Sequence, residues 1–191
     1  MLFTDESCYC LHNTCRRQRV WRRRGERYVQ NCVLQRDRFG GANVMVWAGI
    51  HHAGRTNLHF IEGNLTGIRY RDEILRPLVV PCVTRNALTL QQDNARCHTA
   101  RVCQTYLQQQ NLNVLPWPAF SPDLSPIEHL WDVLDRRIRL RNPLPQNRVQ
   151  LSQALTEEWA RIPQRDIQHL ISSMYRRCVA AVQARGGHTR Y

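Results

Sequence analysis

Three carboxylates in this 191-residue chain belong to sequence runs suited to oxygen-ligated cations. Asp93 lies in Gln91-Gln92-Asp93-Asn94-Ala95-Arg96-Cys97-His98-Thr99-Ala100. Glu128 lies in Ser121-Pro122-Asp123-Leu124-Ser125-Pro126-Ile127-Glu128-His129-Leu130-Trp131, with 34 residues between the two acids. Asp5 follows the apolar-leaning run Met1-Leu2-Phe3-Thr4. On this pattern Asp5 and Asp93 each close a strand and Glu128 starts a helix. Mg²⁺ takes oxygen ligands in near-octahedral geometry and keeps several waters, so two or three carboxylates from separate elements suffice to hold it against phosphate. Two such ions about 3.5–4 Å apart activate the attacking oxygen and stabilise the leaving oxygen of an in-line displacement. The layout is that of a two-metal phosphoryl-transfer site for Mg²⁺ or Mn²⁺, with Asp5 and Asp93 sharing the central position and Glu128 completing the second site.

Each acid also has a plainer reading. Ser125-Pro126-Ile127-Glu128 has the form of a capping box, with Ser125 as N-cap, proline at the first helical position and Glu128 returning to the cap N–H. Asp93-Asn94 is a turn-favouring pair. Asp5-Glu6 reads equally as a surface acid pair near a chain end. His98 either orients a phosphate or water beside Asp93 or is a hydrogen-bonding structural residue near a helix start.

The elements that must position these groups follow from periodicity and punctuation. A strand over 1–7 delivers Asp5. The arginine-dense stretch 8–28 carries Arg16, Arg17, Arg19, Arg22, Arg23, Arg24 and Arg27 around Val20, Trp21 and Tyr28, and reads as an exposed ribbon closed near Gly25. After Gly40-Gly41, strands at 44–50 and 57–61 form an antiparallel pair. A helix capped by Thr66 runs to Val80 and stops at Pro81. A strand over 87–92 delivers Asp93, and a helix over 98–110 leads to a strand at 112–115, a parallel crossover. Helices over 127–141, 148–161 and 165–185 complete the chain, with Pro143 and Pro145 as breakers and Gly186-Gly187 as a stop.

The formal net charge of +12 favours a polyanionic partner, because clustered cations gain affinity by releasing counterions from nucleic acid. All 27 basic residues are arginine, whose planar fork suits bidentate phosphate contacts, although codon bias in a GC-rich gene explains the missing lysine equally well. The run Arg16–Arg24 reads as a phosphate-contacting or nuclear-localisation patch, set against a merely solvated hairpin. No apolar stretch is long enough to span a membrane and no secretory signal is evident, so the eight cysteines are expected to be reduced thiols. Cys8, Cys10, His12 and Cys15 have an unusual spacing for zinc, and on a strand Cys8, Cys10 and His12 simply share one face.

Five ordered motifs carry a resemblance that covers essentially the whole chain. They are Leu2-Phe3-Thr4-Asp5-Glu6-Ser7, the ribbon from Val20 to Tyr28, Gly40-Gly41-Ala42-Asn43-Val44-Met45-Val46-Trp47, the Asp93 run and the Glu128 run. In order and spacing they resemble the catalytic domain of Tc/mariner-superfamily transposases, as does the ending Gly186-Gly187-His188-Thr189-Arg190-Tyr191. The resemblance implies a ribonuclease H-like α/β fold, a mixed five-stranded sheet flanked by helices. It places the catalytic domain at 1–145, with 146–191 as a C-terminal helical extension of the same domain. It makes Asp5, Asp93 and Glu128 the catalytic and metal-binding triad, with two Mg²⁺ or Mn²⁺ ions. The implied reaction is cleavage at transposon ends with water as nucleophile, then attack of the freed 3′-hydroxyl on target DNA.

Arg16, Arg17, Arg22, Arg23, Arg24 and His98 are the residues expected at the DNA, and the expected location is the nucleus. The family dimerises in part through a loop in the Gly40-Gly41 region, which implies a homodimer or pairing with a full-length transposase. Relatives carry N-terminal helix-turn-helix modules that read the inverted repeats in the major groove. This chain is expected to be truncated before that catalytic core, and Asp5 to lie where chain ends fray. The non-enzymatic alternative is a transposase-derived module that binds nucleic acid or dimerises, its acids vestigial. Ser125, His129 and Arg24 stand where relatives often show asparagine, asparagine and proline, polar changes at the helix start and a looser turn in the ribbon.

Overall fold

A computed structural model describes residues 1–11, 43–119 and 121–185 of the chain. The arginine ribbon and the Gly40-Gly41 loop lie outside the described residues, as does the Gly186–Tyr191 ending. At the centre is strand β1 (Leu2–Cys10), nine residues long. It pairs antiparallel with β2 (Asn43–His51) from Phe3 opposite Ile50 to Cys10 opposite Asn43. On its other edge β1 runs parallel to β5 (Leu90–Gln91), with Phe3 opposite Gln91. Two short strands, β3 (Gly54–Arg55) and β4 (His59–Ile61), pair antiparallel with the far edge of β2. The sheet is mixed and five-stranded, as the sequence reading anticipates.

The first strand departs from its expectation. Asp5 sits opposite Ala48 in mid-strand, not at a fraying end. The Leu2 N–H donates to the Thr89 carbonyl at 2.8 Å, and the Thr4 hydroxyl donates to the Gln91 carbonyl at 2.8 Å. The antiparallel ladder with β2 along Phe3–Cys10, together with β5 at Leu2 and Phe3, pairs the start of the strand, so closeness to the chain start does not loosen it.

Alternation along the strands sends side chains to two separate cores. One face presents Phe3, Val44, Val46, Ala48 and Ile50 to helices α4 (Pro126–Arg139), α5 (Arg148–Ala160) and α6 (Gln164–Ser172). There Trp131 stacks on Trp159 with ring centres 5.4 Å apart, and Tyr9 meets Trp131 edge-on at 6.4 Å. The C-terminal helices therefore share the core of the sheet. The other face presents Leu2, Trp47 and Leu90 to Tyr70, Ile74, Leu75 and Val79 of a long helix and to Leu107 of α3 (Arg101–Gln109).

That long helix begins as α1 (Gly67–Arg69), capped by Thr66 as predicted, widens into a π-helical stretch (Tyr70–Val79), and continues as α2 (Val80–Asn86). Pro81 does not end it. Pro81 falls where the π-helical stretch passes into α2, and the buried stripe of Ile74, Leu75, Val79 and Val83 carries the helix past it. The helix stops at Ala87, whose left-handed backbone (φ 49°) turns the chain into β5. The predicted strand at 112–115 is reduced to a parallel bridge between Leu90 and Val114. It completes the crossover through α3.

The single helix expected over 165–185 is two, α6 and α7 (Met174–Gln183), divided at Ser173. The Ser173 hydroxyl donates to the Leu170 carbonyl at 2.6 Å and accepts from Arg177 Nε at 2.8 Å, competing with the backbone ladder at that turn. The thiol expectation is also corrected at one position: Cys10 is disulfide-bonded, while Cys8, Cys82, Cys97, Cys103 and Cys178 are free.

Candidate active site

Asp5 leaves β1 on the face covered by α4, and the Trp131 indole N–H donates to its Oδ2 at 2.9 Å. Burial pushes the Asp5 carboxyl up to about 7, with the nearby charges of Glu128 and Glu6 adding to the rise. The Trp131 and Glu6 N–H groups oppose it. A carboxyl so placed gains from a cation.

Asp93 follows β5 by two residues. Its Oδ1 accepts from the Ala95 N–H at 2.9 Å, an Asx turn, and lies 2.6 Å from His98 Nδ1. The His98 ring holds the Asp93 carboxyl below its ordinary value against burial, with help from the Ala95 N–H. Asp93 is thus a turn residue and a cleft residue at once, because the turn occupies Oδ1 and leaves Oδ2 without a partner among the described residues.

Glu128 enters from the first turn of α4. Ser125 is the N-cap and Pro126 opens the helix, but no capping box forms: the Ser125 side chain makes no cap bond, and its N–H donates to the Pro122 carbonyl at 2.8 Å across the 3₁₀ turn Pro122–Leu124. Glu128 is therefore not engaged in closing the helix start. Burial raises its pKa, followed by repulsion from Asp132 and Asp93.

The three predicted acids line one cleft of about 380 Å³, together with Thr4, Gln91 and Asn94. Asn94 Nδ2 donates to the Trp117 carbonyl at 2.8 Å and holds the wall opposite β1. Among the described residues no three His, Cys, Asp or Glu side chains converge closely enough to hold one ion. The donors nevertheless suit Mg²⁺ or Mn²⁺ in kind, being hard carboxylate oxygens; burial first, and then the charges of neighbouring carboxylates, raises the pKa of Asp5 and Glu128.

Of the residues expected at DNA, Arg16, Arg17, Arg22, Arg23 and Arg24 lie outside the described residues. His98 is described and is 2% exposed. Its Nδ1 faces Asp93 and its Nε2 lies 3.2 Å from Glu6 Oε1, so both ring nitrogens meet carboxylates. This is the hydrogen-bonding role of the two the sequence left open. Burial disfavours charge on the ring, yet its neighbours Tyr70, Asp93, Cys97 and Glu6 together raise its pKa. The Tyr70 hydroxyl donates to Gln92 Oε1 at 2.8 Å and stays a neutral phenol, so the two carboxylates are the physical cause.

Sequence reasoning missed three residues at the site. In the sequence Trp131 stands only as part of a motif, yet its indole holds Asp5. Glu6 reads as a surface neighbour of Asp5, yet it reaches His98. Gln91 lines the cleft at 1% exposure, and its Oε1 has no hydrogen-bond partner among the described residues. A polar residue at an apolar strand end was the available signal for Gln91, since burying an unpaired amide oxygen is costly without a functional use.

Residues 1–151 match the family model described as DDE superfamily endonuclease. The chain is 34% identical over 193 aligned residues to the transposable element Tcb1 transposase of Caenorhabditis briggsae, covering all of this chain and 70% of that relative. In three dimensions it is similar to the Mos1 mariner paired-end complexes solved with Mg and with Mn. Identity is 21% in both cases, and the TM-scores are 0.77 and 0.76 over 99% of this chain. The chain spans 56% of each Mos1 chain. The likeness establishes the ribonuclease H-like fold.

Proposed function

The chain belongs to the DDE superfamily endonuclease family, and from that membership we propose that it is the catalytic domain of a Tc1/mariner-type DNA transposase. In this reading it hydrolyses a phosphodiester at transposon ends and joins the freed 3′-hydroxyl to target DNA. One observation carries the proposal: β1, the β5 exit and the start of α4, far apart in sequence, bring Asp5, Asp93 and Glu128 to a single cleft.

Those three carboxylates would hold the divalent cations, which when bound supply Lewis-acid stabilisation of the attacking and leaving oxygens. Trp131 fixes one oxygen of Asp5, and His98 with the Ala95 N–H fixes one oxygen of Asp93. Neither aspartate then has to reorganise when phosphate arrives. The Mos1 complexes with Mg and Mn support cation use of this kind. DNA as partner, assembly as a homodimer or with a longer transposase, and a nuclear location belong to the same proposal, with the arginines of the ribbon contacting phosphate.

Purified protein incubated with a pre-cut transposon end and Mg²⁺ or Mn²⁺ tests it. Joined products are expected with the unsubstituted chain and are lost in Asp93→Asn. Products that persist in Asp93→Asn, or no products under any divalent cation, would overturn the reading.

A further inference from the structure

Glu6 is not one of the three acids assigned to the cation, and it leaves β1 on the opposite face from Asp5, as adjacent strand residues must. It is nearly buried, and its Oε1 lies 3.2 Å from His98 Nε2. The other ring nitrogen of His98 lies 2.6 Å from Asp93 Oδ1. The Tyr70 ring covers the imidazole at 4.3 Å, and the Tyr70 hydroxyl donates to Gln92, next to Asp93. The turn that carries His98 is pressed against α1 at Gly67, where a Cβ would come within 2.6 Å of Ala100 Cβ, and Cys103 Sγ donates to the Gly67 carbonyl at 3.0 Å.

We propose that Glu6, His98 and Tyr70 form a clamp that positions the Asp93 carboxylate for cation binding, with Glu6 as its anchor. Glu6 holds the far nitrogen of His98, the near nitrogen holds Oδ1 of Asp93, and Oδ2 remains for the cleft. Because Glu6 is the strand neighbour of Asp5, the clamp ties the Asp93 turn to the segment that carries the first aspartate. The two carboxylates then keep their relative position although 88 places separate them in the sequence. Without Glu6 the imidazole is held on one side only, and Asp93 is free to rotate within its turn. This inference rests on the reading that Asp5, Asp93 and Glu128 bind the cation.

Tb³⁺ luminescence reads cation binding without DNA or turnover, since the Trp131 indole, 2.9 Å from Asp5, sensitises an ion bound there. Glu6→Ala and His98→Ala are expected to weaken Tb³⁺ binding about 10–100-fold, the range for loss of a residue that orients a metal ligand. Glu6→Gln, which can still accept from the ring, is expected to restore most of the affinity. His98→Asn keeps a donor near Asp93 but cannot reach Glu6, so adding Glu6→Ala to it is expected to have no further effect.

Unchanged Tb³⁺ affinity in folded Glu6→Ala, or additive losses in the double variant, would overturn the clamp. If the alanine variants fail to fold, His98→Asn against Glu6→Gln decides: Tb³⁺ binding weakened in His98→Asn and largely kept in Glu6→Gln is expected, and affinity unchanged in both would overturn the clamp. Asp93→Asn serves as the control on the site itself: if it binds Tb³⁺ as tightly as the unsubstituted chain, the cation-site reading fails, and not the clamp alone.

Discussion

The two faces of the central sheet support the same pair of aspartates by opposite means. On the α4 face, Asp5 is held by a neutral donor, the Trp131 indole, inside an aromatic stack with Tyr9 and Trp159. On the face of the long helix, Asp93 is held by an imidazole that a second carboxylate, Glu6, backs from behind. Burial and like charges push Asp5 up to about 7, whereas the His98 ring keeps Asp93 below its ordinary value. The contrast teaches that a residue type does not carry its protonation state with it. An aromatic face excludes water and leaves the carboxylate wanting a cation; a charged face satisfies the carboxylate and orients it.

The largest break in this comparison is Asp93→Asn, which removes the ionised member. Strand transfer is expected to fall to background, while far-UV circular dichroism stays unchanged because the Asn side chain preserves the turn to Ala95. Residual joining above background in that variant would overturn the assignment of Asp93 to the catalytic site.

Next in size is Trp131→Phe, which deletes the only side-chain hydrogen bond to Asp5 among the described residues and thins the stack on Trp159. A loss of about 2–3 kcal/mol in urea unfolding is expected, combining a lost donor to a charged group with lost packing. A loss below about 0.5 kcal/mol would mean the indole only fills space.

A pH series sharpens the contrast further. The pKa of Asp5 is raised from 3.8 to about 7 in the fold, so the folded chain keeps a proton that the unfolded chain releases. Without divalent cations, this group lowers stability as pH rises from about 4 to about 7. Asp5→Asn is therefore expected to stabilise the cation-free protein at pH 8 by on the order of 1 kcal/mol and to leave it unchanged at pH 4. Equal effects at both pH values would show that Asp5 is not held protonated by its surroundings. Saturating Mg²⁺ is expected to reverse the sign at pH 8, because a cation that binds only the folded state favours the aspartate.

The smallest expected change in stability is at Glu128. The capping reading assigns it helix stability, but no cap bond is formed in the structure. Glu128→Ala is expected to change urea stability by less than about 0.5 kcal/mol while abolishing strand transfer. A loss of about 1 kcal/mol, typical of a broken cap, would restore the capping reading.

Much of this architecture was legible in the chain because it depends on local rules. Thr66 caps its helix, Pro126 opens α4, Arg148 opens α5, and alternating apolar residues place β2. The errors fall where a distant partner overrides a local signal. Pro81 reads as a stop, but a buried stripe spanning Ile74 to Val83 carries the helix through it. Asp5 reads as a residue near a loose end, but Ala48 lies opposite it in the ladder and β5 pairs with the start of its strand. The capping box at Ser125, one of the readings the sequence leaves open, does not form because a local 3₁₀ turn takes its N–H first.

The amino-acid sequence by itself determined which acids are present, their order and the elements that carry them, because strand and helix patterns are properties of neighbouring residues. The tertiary structure alone decided their chemistry. Which carboxylate is protonated, which oxygen stays available, and that Glu6 meets a histidine 92 positions away depend on burial and contact. Those interactions act through space, across distances that sequence spacing does not encode.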